Sequence, residues 1–239
     1  MAPFSGQTVL VTGASGGVGG AIARRLGKAG ATVCLSGRNR KRLEEVAAQL
    51  PENRGRCYPA DLTVESQLQK AVKGILAENE HLEALIHCAA IIVMEPVATA
   101  AARDFENQFQ TNVLGPFRLT QMLLPALISS RGQIAFINSS VGRHARAGVS
   151  QYAATKHALT AVADSLRAEC NASGVRVCSL FLGSTATPMQ AAIRAQQKCA
   201  YDPARLIQPE DVAEMVAAVL ALPRTTEVTD VVIRPTAKV

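Results

Sequence analysis

The sequence predicts an α/β fold in which a parallel sheet of about seven strands is doubly wound, with helices on both faces. Two observations predict it. Short apolar runs alternate along the 239 residues with longer segments of helical composition, which is the pattern of strand–helix–strand units. Several of these runs are continuously apolar, as expected of strands that are covered on both faces. No repeat or linker interrupts the pattern, so we predict one domain over residues 1–239.

Each strand is predicted from an apolar run of β-rich composition. The runs are residues 8–11, 32–35, 56–59, 84–88, 133–138, 176–181 and 228–233. The segments between them predict helices over residues 21–29, 41–50, 64–77, 102–128, 151–172 and 209–221. The last helix has a clear start, because Pro209 is followed by two acids that favour the positive end of the helix dipole. Crossovers between parallel strands should be right-handed.

Charge and hydropathy argue against two classes of function. The formal net charge is +6, yet the cations are dispersed, and aromatic residues make up 4% of the chain with no Trp. That leaves little for base stacking, so we do not expect nucleic-acid binding. The longest near-apolar stretch, residues 84–94, is well short of the ~18 residues of a membrane helix. The first residues show no secretory signal.

The cysteines and histidines indicate neither a disulfide framework nor a metal site. The cysteines, at positions 34, 57, 88, 170, 178 and 199, form no CxxC pair. No His lies at zinc-finger spacing from them, so we predict no metal. Cys34, Cys88 and Cys178 lie in apolar runs, where a free Cys behaves as a small hydrophobe. Such cysteines are typical of a reducing compartment, and we expect a cytoplasmic protein.

The turn after the first strand carries the strongest local signal. In TVLVTGASGGVGGAIARRL, Gly13, Gly17 and Gly19 follow a strand and lead into a helix. Residues without a Cβ allow backbone N–H groups to approach a pyrophosphate at the helix N-terminus. The spacing differs from the G-x-G-x-x-G fingerprint, and glycines also serve helix–strand packing. The strand before and the helix after nevertheless favour dinucleotide binding.

The end of the second strand indicates which dinucleotide is preferred. Many dinucleotide folds place there an acid that binds the ribose 2′-hydroxyl. Here Ser36 and Gly37 take its place and Arg38 follows. A 2′-phosphate then meets no carboxylate, and a guanidinium can pair with it. We therefore predict NADP(H) over NAD(H), the alternative being that Arg38 and Arg40 are solvated loop charges.

Asp61 follows the third strand in the run CYPAD. Its carboxylate could accept a hydrogen bond from an adenine amino group, or it could cap the helix that begins near Thr63. The sequence favours neither alternative over the other, and both can hold.

The residues for chemistry lie in INSSVGRHARAGVSQYAATK. Tyr152 and Lys156 are four positions apart at a predicted helix start, so they share a face, and Ser139 ends the fifth strand. In a parallel sheet the strand C-termini and the following helix N-termini face one crevice. We therefore expect the three side chains to point at a cofactor bound there.

This set of residues suits carbonyl reduction. Hydride addition leaves an alkoxide that needs a proton, which a phenol of pKa about 10 can donate if its anion is stabilised. We expect Lys156, with the charge of the oxidised nicotinamide, to lower the pKa of Tyr152, and Ser139 to orient the carbonyl. The alternative is an ordinary amphipathic helix face, which does not account for Ser139 and the glycine turn.

With these motifs the chain resembles the short-chain dehydrogenase/reductase family over nearly all of its length. The family's T-G-x-x-x-G-x-G is matched by Thr12, Gly13, Gly17 and Gly19, and its Y-x-x-x-K by Tyr152 and Lys156. The resemblance implies a Rossmann-like fold. The catalytic set is then Asn112, Ser139, Tyr152 and Lys156. The cofactor-binding set is then Gly13, Ser15, Gly17, Val18, Gly19, Ser36, Arg38, Asp61, Leu62, Ala89, Tyr152, Lys156, Gly183 and Thr187.

Some roles come from the resemblance alone. Asn112 matches the family's Asn that supports a water relay near the Lys, and Thr187 matches the Thr that binds the nicotinamide amide. Ser139 fits the family's spacing better than Ser140. The resemblance also implies dimers or tetramers built on helices 102–128 and 151–172, so we expect a homodimer or homotetramer.

Two segments depart from the family's pattern. Its Asn-Asn-Ala-Gly after the fourth strand, which packs on the adenosine ribose, is His87-Cys88-Ala89-Ala90 here. Ala90 in place of Gly puts a Cβ close to the cofactor. The family's Pro-Gly after the sixth strand is Leu182-Gly183, which keeps the Gly. Because the catalytic set is complete, we do not interpret these changes as a loss of activity.

Substrate choice is expected to depend on two segments. Residues 140–150 carry Arg143, His144 and Arg146, and residues 188–206 mix apolar and basic side chains in a way that suits a mobile helical lid. Cations at the mouth could attract an acidic substrate, or they could be ordinary surface charges. We predict a ketone or aldehyde substrate, with a secondary alcohol in reverse. A non-catalytic dinucleotide sensor on the same fold is the alternative.

Overall fold

Within residues 2–51 and 54–237, which the computed structural model describes, seven parallel strands form one sheet. The strands are β1 (Thr8–Thr12), β2 (Thr32–Gly37), β3 (Gly55–Pro59), β4 (Ala84–His87), β5 (Gln133–Ser139), β6 (Arg176–Leu182) and β7 (Asp230–Ile233). The α-helices between them are α1 (Gly17–Lys28), α2 (Arg40–Ala47), α3 (Glu65–Glu78), α4 (Ala102–Phe109), α5 (Gly115–Ser129), α6 (Ser150–Cys170), α7 (Pro188–Gln196) and α8 (Pro209–Leu220).

The strand order confirms the predicted doubly wound sheet. It runs β3-β2-β1-β4-β5-β6-β7, and every neighbouring pair is parallel. The chain starts in the middle, winds outward to β3, and returns to pair β4 with β1 on the other side. The order therefore reverses between β1 and β4, and a crevice opens at the carboxyl ends of the strands there.

Hydrophobic residues cover the sheet on both faces, as the continuous apolar runs predict. Val9 and Val11 of β1 pack in one core with Ile22 of α1 and Val216 of α8. Leu10, between them on β1, points to the opposite core, which α3, α5 and α6 complete. Alternate residues of a strand face opposite sides, so an all-apolar strand can belong to both cores at once.

The main difference from the predicted elements lies in residues 102–128. They were expected to form one helix, but a π-helical turn, Gln110–Leu114, separates α4 from α5. The N–H of Gly115 bonds to the carbonyl of Gln110, five residues back. Pro116 has no N–H with which to continue the ordinary ladder, which accounts for the wider turn at this point.

Other elements also differ from their predicted boundaries: α1 begins at Gly17 instead of residue 21, and α2 ends at Ala47 instead of residue 50. β7 begins at Asp230, two residues later than expected. In residues 188–206, helix α7 covers only the first half, and a single 3-10 turn, Pro203–Arg205, follows after a loop. Among the helices that the structure describes, none is long and apolar enough to cross a membrane.

Candidate active site

A cleft of about 1000 Å³ opens at the point where the strand order reverses. It is lined by the β1–α1 turn, by the carboxyl ends of β2, β5 and β6, and by the start of α6. Helix α7 borders it on one side. All the residues predicted to bind cofactor or to act in catalysis line this cleft, with the exception of Asn112.

Two glycines of the β1–α1 turn, Gly13 and Gly19, leave no room for a Cβ. Gly13 and Gly17 have φ of +66° and +54°, the left-handed region that favours glycine. A Cβ at Gly13 would lie 2.8 Å from the backbone nitrogen of Ala89, and one at Gly19 would lie 2.4 Å from the carbonyl oxygen of Gly13. The first turn of α1 therefore packs directly on the strand end. Ser15 and Val18, from the same turn, also line the cleft.

The segment after β4, where the sequence departs from the family, is held by Thr12. The Thr12 Oγ1 accepts hydrogen bonds from the N–H groups of Cys88 (3.1 Å) and Ala89 (3.3 Å), and both residues line the cleft together with Ala90. His87 points the other way into the core. Its Nε2 lies 2.9 Å from Thr120 Oγ1, and its ring stacks on Phe136 with a centroid distance of 4.8 Å.

The end of β2 carries more positive charge into the cleft than the sequence indicated. Ser36 is buried, and Arg38 lines the cleft as predicted, but the second cation there is Arg42 and not Arg40. Arg40 lies outside the cleft lining and pairs with Glu44 at 3.6 Å. Neither the Arg38 nor the Arg42 side chain has a partner within residues 2–51 and 54–237.

A capping residue explains the position of Arg42. The side chain of Asn39 accepts a hydrogen bond from the N–H of Arg42 at 3.1 Å, which starts α2 at Arg40. Arg42 is therefore fixed in the first turn of α2. The Asn in RNRKR was the available sequence signal, since Asn is a preferred N-cap residue.

Asp61 closes a short turn and does not cap α3. Its Oδ1 accepts hydrogen bonds from the N–H (2.9 Å) and the hydroxyl (2.7 Å) of Thr63. Helix α3 begins only at Glu65, and its N-cap residue is Val64. The capping alternative therefore does not hold in its predicted form. Asp61 and its neighbour Leu62 line the cleft.

Ser139, Tyr152 and Lys156 meet at the centre of the cleft. Ser139 is the last residue of β5, and the other two lie in the first two turns of α6. Lys156 is buried, with its Nζ donating to the carbonyl oxygen of Ile137 at 3.1 Å and lying 5.7 Å from the centroid of the Tyr152 ring. The predicted convergence of strand end and helix start is thus present in the geometry.

Asn138 positions these residues, and the sequence reading missed it. Its Nδ2 donates to the carbonyl oxygen of Lys156 at 3.2 Å and to Thr160 Oγ1 at 3.0 Å, and its Oδ1 accepts from the N–H of Ser139 at 2.7 Å. One buried amide thus ties the end of β5 to α6. A polar residue next to a strand-end Ser was the only sequence signal.

Burial is the main cause of the pKa shifts of Tyr152 and Lys156. Burial raises the pKa of Tyr152 to about 12, although a hydrogen bond with Ser139 acts to lower it. Burial lowers the pKa of Lys156 to about 8, and nearby Cys88 opposes that shift. Desolvation dominates the pKa of Tyr152, and in the protein alone Ser139, rather than the expected Lys156, acts to lower it. At neutral pH the phenol holds its proton and Lys156 is mostly charged.

The structure distinguishes the two neighbouring serines, Ser139 and Ser140, by their surroundings. Ser139 is the serine that acts to lower the pKa of Tyr152, and its Oγ accepts a hydrogen bond from the N–H of Val141 at 3.4 Å. Ser140 is exposed and begins a 3-10 turn, although it also reaches the cleft lining. Ser139 is therefore the serine next to the phenol.

Asn112 lies behind the cleft, on the π-helical turn. Its amide bonds to both the N–H and the carbonyl of Ile91 at 2.9 Å, and donates to Thr155 Oγ1 at 3.1 Å. The Thr155 hydroxyl in turn donates to the carbonyl oxygen of Tyr152 at 2.8 Å. Asn112 therefore fixes the segment after β4 against α6. None of its hydrogen bonds to described residues goes to Lys156.

The far side of the cleft follows β6. A Cβ at Gly183 would lie 2.9 Å from Pro235 Cδ, so this turn needs its glycine. Thr187 Oγ1 accepts from the N–H of Gln190 at 3.2 Å and caps α7. Helix α7 has no buried residue in this structure, and Gln197, which follows it, donates from its Nε2 to Met94 Sδ on the opposite wall at 4.0 Å.

No group of three or more His, Cys, Asp or Glu residues within the described ranges could hold a metal ion. All six cysteines are free, with Cys199 exposed and Cys34, Cys170 and Cys178 buried. The chemistry available in the cleft is therefore that of a hydroxyl, a phenol and an amine beside a glycine-lined cradle.

Comparison with known proteins gives concordant results. Residues 7–198 match the model of the short chain dehydrogenase family. An uncharacterised oxidoreductase of Staphylococcus epidermidis is 30% identical over 236 residues, which cover 98% of this chain and 100% of the relative.

Solved structures agree in fold. A short chain dehydrogenase from Escherichia coli CFT073 complexed with NADPH has a TM-score of 0.88 and 30% identity, and the match covers 97% of this chain and 98% of that one. A metagenomic short-chain oxidoreductase in complex with NADP has a TM-score of 0.84 and 28% identity, over 99% and 100% of the two chains.

Proposed function

The chain belongs to the short-chain dehydrogenase family and is an NAD(P)-dependent oxidoreductase, and from this premise we propose that it transfers hydride between NADP(H) and a ketone or aldehyde. A secondary alcohol is the substrate in the reverse direction. The observation that carries the proposal is that Ser139, Tyr152 and Lys156 line the same cleft as the glycine turn.

The residues of the cleft fit a dinucleotide. The glycine turn packs on the protein backbone at Gly13 and Gly19, which brings the N-terminus of α1, where anions are favoured, to the wall of the cleft. Related proteins of 28–30% identity bind NADP(H) in solved structures. When bound, the nicotinamide supplies or accepts the hydride.

We assign the remaining contacts by position along the cleft. In this assignment the β1–α1 turn binds the pyrophosphate, through Gly13, Ser15, Gly17, Val18 and Gly19. Asp61, Leu62 and Ala89, which line the cleft beyond β3 and β4, bind the adenosine. Gly183 and Thr187, after β6, bind the nicotinamide amide.

Preference for NADP(H) over NAD(H) follows from the end of β2. Ser36 stands where many dinucleotide folds have a carboxylate. The guanidinium groups of Arg38 and Arg42 line the cleft and form no ion pair or hydrogen bond with any described residue. Guanidinium pairs with phosphate through paired, charge-assisted hydrogen bonds. We therefore assign the 2′-phosphate to Arg38 and Arg42.

Tyr152 is the proton donor in the proposed mechanism. Its neutral phenol is the right protonation state for giving a proton to the alkoxide oxygen, and Ser139, hydrogen-bonded to it, orients the same oxygen. Lys156 holds the ribose and provides a positive charge that stabilises the phenolate once the proton has left. Asn112 is a positioning residue, acting through Thr155 and the segment after β4.

The proposal also covers the substrate lid, the oligomeric state and the cellular location. Residues 188–206 form the substrate lid, consistent with the absence of buried side chains in α7. The protein assembles as a homodimer or homotetramer. Its free cysteines suit the reducing cytoplasm.

A screen of ketones, aldehydes and secondary alcohols with NADPH, NADH and their oxidised forms tests the proposal. We expect turnover of at least one carbonyl class, with NADPH giving the higher kcat/KM. Tight NADPH binding without turnover of any carbonyl or alcohol would instead favour the non-catalytic sensor.

A further inference from the structure

The part of the cleft between Tyr152 and α7 is lined by apolar side chains and two arginines. The apolar side chains are those of Met94, Val149, Met189 and Ile193. Arg146 comes from the loop between β5 and α6, and Arg194 comes from the last turn of α7. Two cations therefore reach this part of the cleft from separate elements of the fold.

Neither arginine has a partner in the protein. Within residues 2–51 and 54–237 their guanidinium groups form no ion pair and no hydrogen bond; Arg146 is exposed and Arg194 is half-buried. Arg143 behaves differently, because its guanidinium lies over the Phe181 ring at 5.3 Å and it is not part of the cleft lining. A partly buried charge without a partner is unfavourable, so a ligand that pairs with it gains affinity.

No acid balances the two arginines locally. Of the described residues that line the cleft, Asp61 is the only one with a carboxylate. It lies after β3, on the adenosine side, and it already accepts two hydrogen bonds from Thr63. The described lining of the cleft near α7 therefore carries two cations and no carboxylate, a distribution that attracts anions.

Helix dipoles do not account for both cations. The C-terminus of α7 favours a positive charge near Arg194 whatever the substrate is. Arg146, however, precedes the N-terminus of α6, the end of a helix that favours anions. The dipole of α6 therefore does not favour a cation at Arg146, which is exposed at the mouth of the cleft.

We propose that the substrate is an anionic carbonyl compound, whose carboxylate or phosphate is bound by Arg146 and Arg194 while an apolar stretch of its chain lies on Met94, Val149, Met189 and Ile193. This inference rests on the function proposed above and narrows it. The guanidinium fork binds a carboxylate or a phosphate oxygen pair equally well in geometry, so the shared feature is the anion.

The test compares an acid with its neutral counterpart. Binding of 7-oxooctanoate and of its methyl ester to the NADP⁺-loaded protein is measured by calorimetry, and kcat/KM for both is measured with NADPH. We expect the acid to bind better than the ester by roughly tenfold or more, the usual size of a charge-assisted contact. Arg146→Gln and Arg194→Gln should each remove most of that advantage and leave the ester unchanged. Lys73→Gln, which removes an exposed charge on α3 outside the cleft, should change neither.

The outcomes separate this inference from the proposed function. Equal binding and turnover of the acid and its methyl ester, together with binding of 7-oxooctyl phosphate that the two substitutions leave unaffected, would overturn the anion site while the reductase stands. Arginine-dependent binding of the acid without turnover of either compound would support the anion site and count against the reductase. A third probe, 7-oxooctyl phosphate, identifies the anion. If the phosphate ester shows the arginine dependence and the carboxylate does not, the site is supported for phosphate.

Discussion

Arg38 is the residue on which the proposed cofactor preference depends most directly. Arg38→Ala should weaken NADPH binding by roughly 1.5–3 kcal/mol, the contribution of a charge-assisted contact to phosphate, and should change NADH binding little. Fluorescence titration of both cofactors measures this. Arg40→Ala is the matched control, because Arg40 pairs with Glu44 outside the cleft lining and should leave both affinities unchanged. Equal use of the two cofactors by the native protein would contradict the assignment.

At the scale of residues, the sequence predicted which residue types form the site better than it predicted how their side chains are positioned. The Ser, Tyr and Lys set follows from helix and strand periodicity, since those spacings alone bring the three side chains to one crevice. Arg42 was not predicted, because its place at the cleft depends on the cap at Asn39, which fixes the start of α2. The role of Asn138 depends on contacts across eighteen or more positions of sequence, which spacing does not reveal.

Among the elements, the β1–α1 turn is the one most sensitive to a single added atom. Gly19→Ala should weaken NADPH binding by roughly tenfold or more, because the new Cβ would lie 2.4 Å from the Gly13 carbonyl oxygen and the turn must open, with loss of hydrogen bonds to the phosphates. Calorimetry with NADPH measures the change.

Gly20→Ala is the control for that substitution. Its Cβ would first meet the end of the Arg24 side chain at 3.3 Å, which can move, so folding and NADPH affinity should be kept. If Gly19→Ala binds NADPH as tightly as Gly20→Ala does, the close approach seen at this turn is not needed for the cofactor.

Element boundaries were predicted well where packing is simple. Strands covered on both faces show as apolar runs, and all seven predicted runs contain a strand of the sheet. The break at Gln110–Leu114 was not predicted, because the apolar pattern continues through it and the i to i−5 bond of Gly115 depends on Pro116 and on contact with Leu62. The sequence also did not predict where α7 ends within residues 188–206, because composition alone does not indicate which residues of a segment form the helix.

At the scale of the whole molecule, His87 makes stability depend on pH. Burial lowers the pKa of its imidazole to about 3 from 6.5, so below about 6.5 the unfolded chain binds a proton that the folded protein does not. Stability should therefore rise with pH between these values, and His87 should account for a loss of about 2 kcal/mol on going from pH 7 to pH 5.

Urea unfolding at several pH values checks this, with His87→Asn compared with the native chain. The substitution should flatten the dependence between pH 7 and pH 5 because Asn does not titrate. His81→Asn is the control, since His81 is exposed and no buried imidazole is lost. An unchanged slope in His87→Asn would show that His87 is not the titrating group.

Assembly is also a property of the whole molecule. Phe105 on α4 and Phe117 on α5 are 39% and 41% exposed, which leaves apolar surface on the helices that the family resemblance assigns to subunit contacts. We predict a mass above 25.2 kDa by light scattering at micromolar concentration, and a shift toward 25.2 kDa in Phe117→Glu. A native mass of 25.2 kDa under these conditions would count against a homo-oligomer.

The central claim is that Tyr152 donates the proton, and one pair of measurements on Tyr152→Phe tests it most directly. The substitution removes a single oxygen, so NADPH affinity and circular dichroism should match the native protein, while kcat should fall by at least ~10²-fold. Ser139→Ala should also lose turnover with near-normal cofactor binding, Ser140→Ala should lose less, and Lys156→Ala should lose both turnover and affinity. A Tyr152→Phe variant that keeps NADPH affinity and more than about a tenth of native kcat would contradict the account.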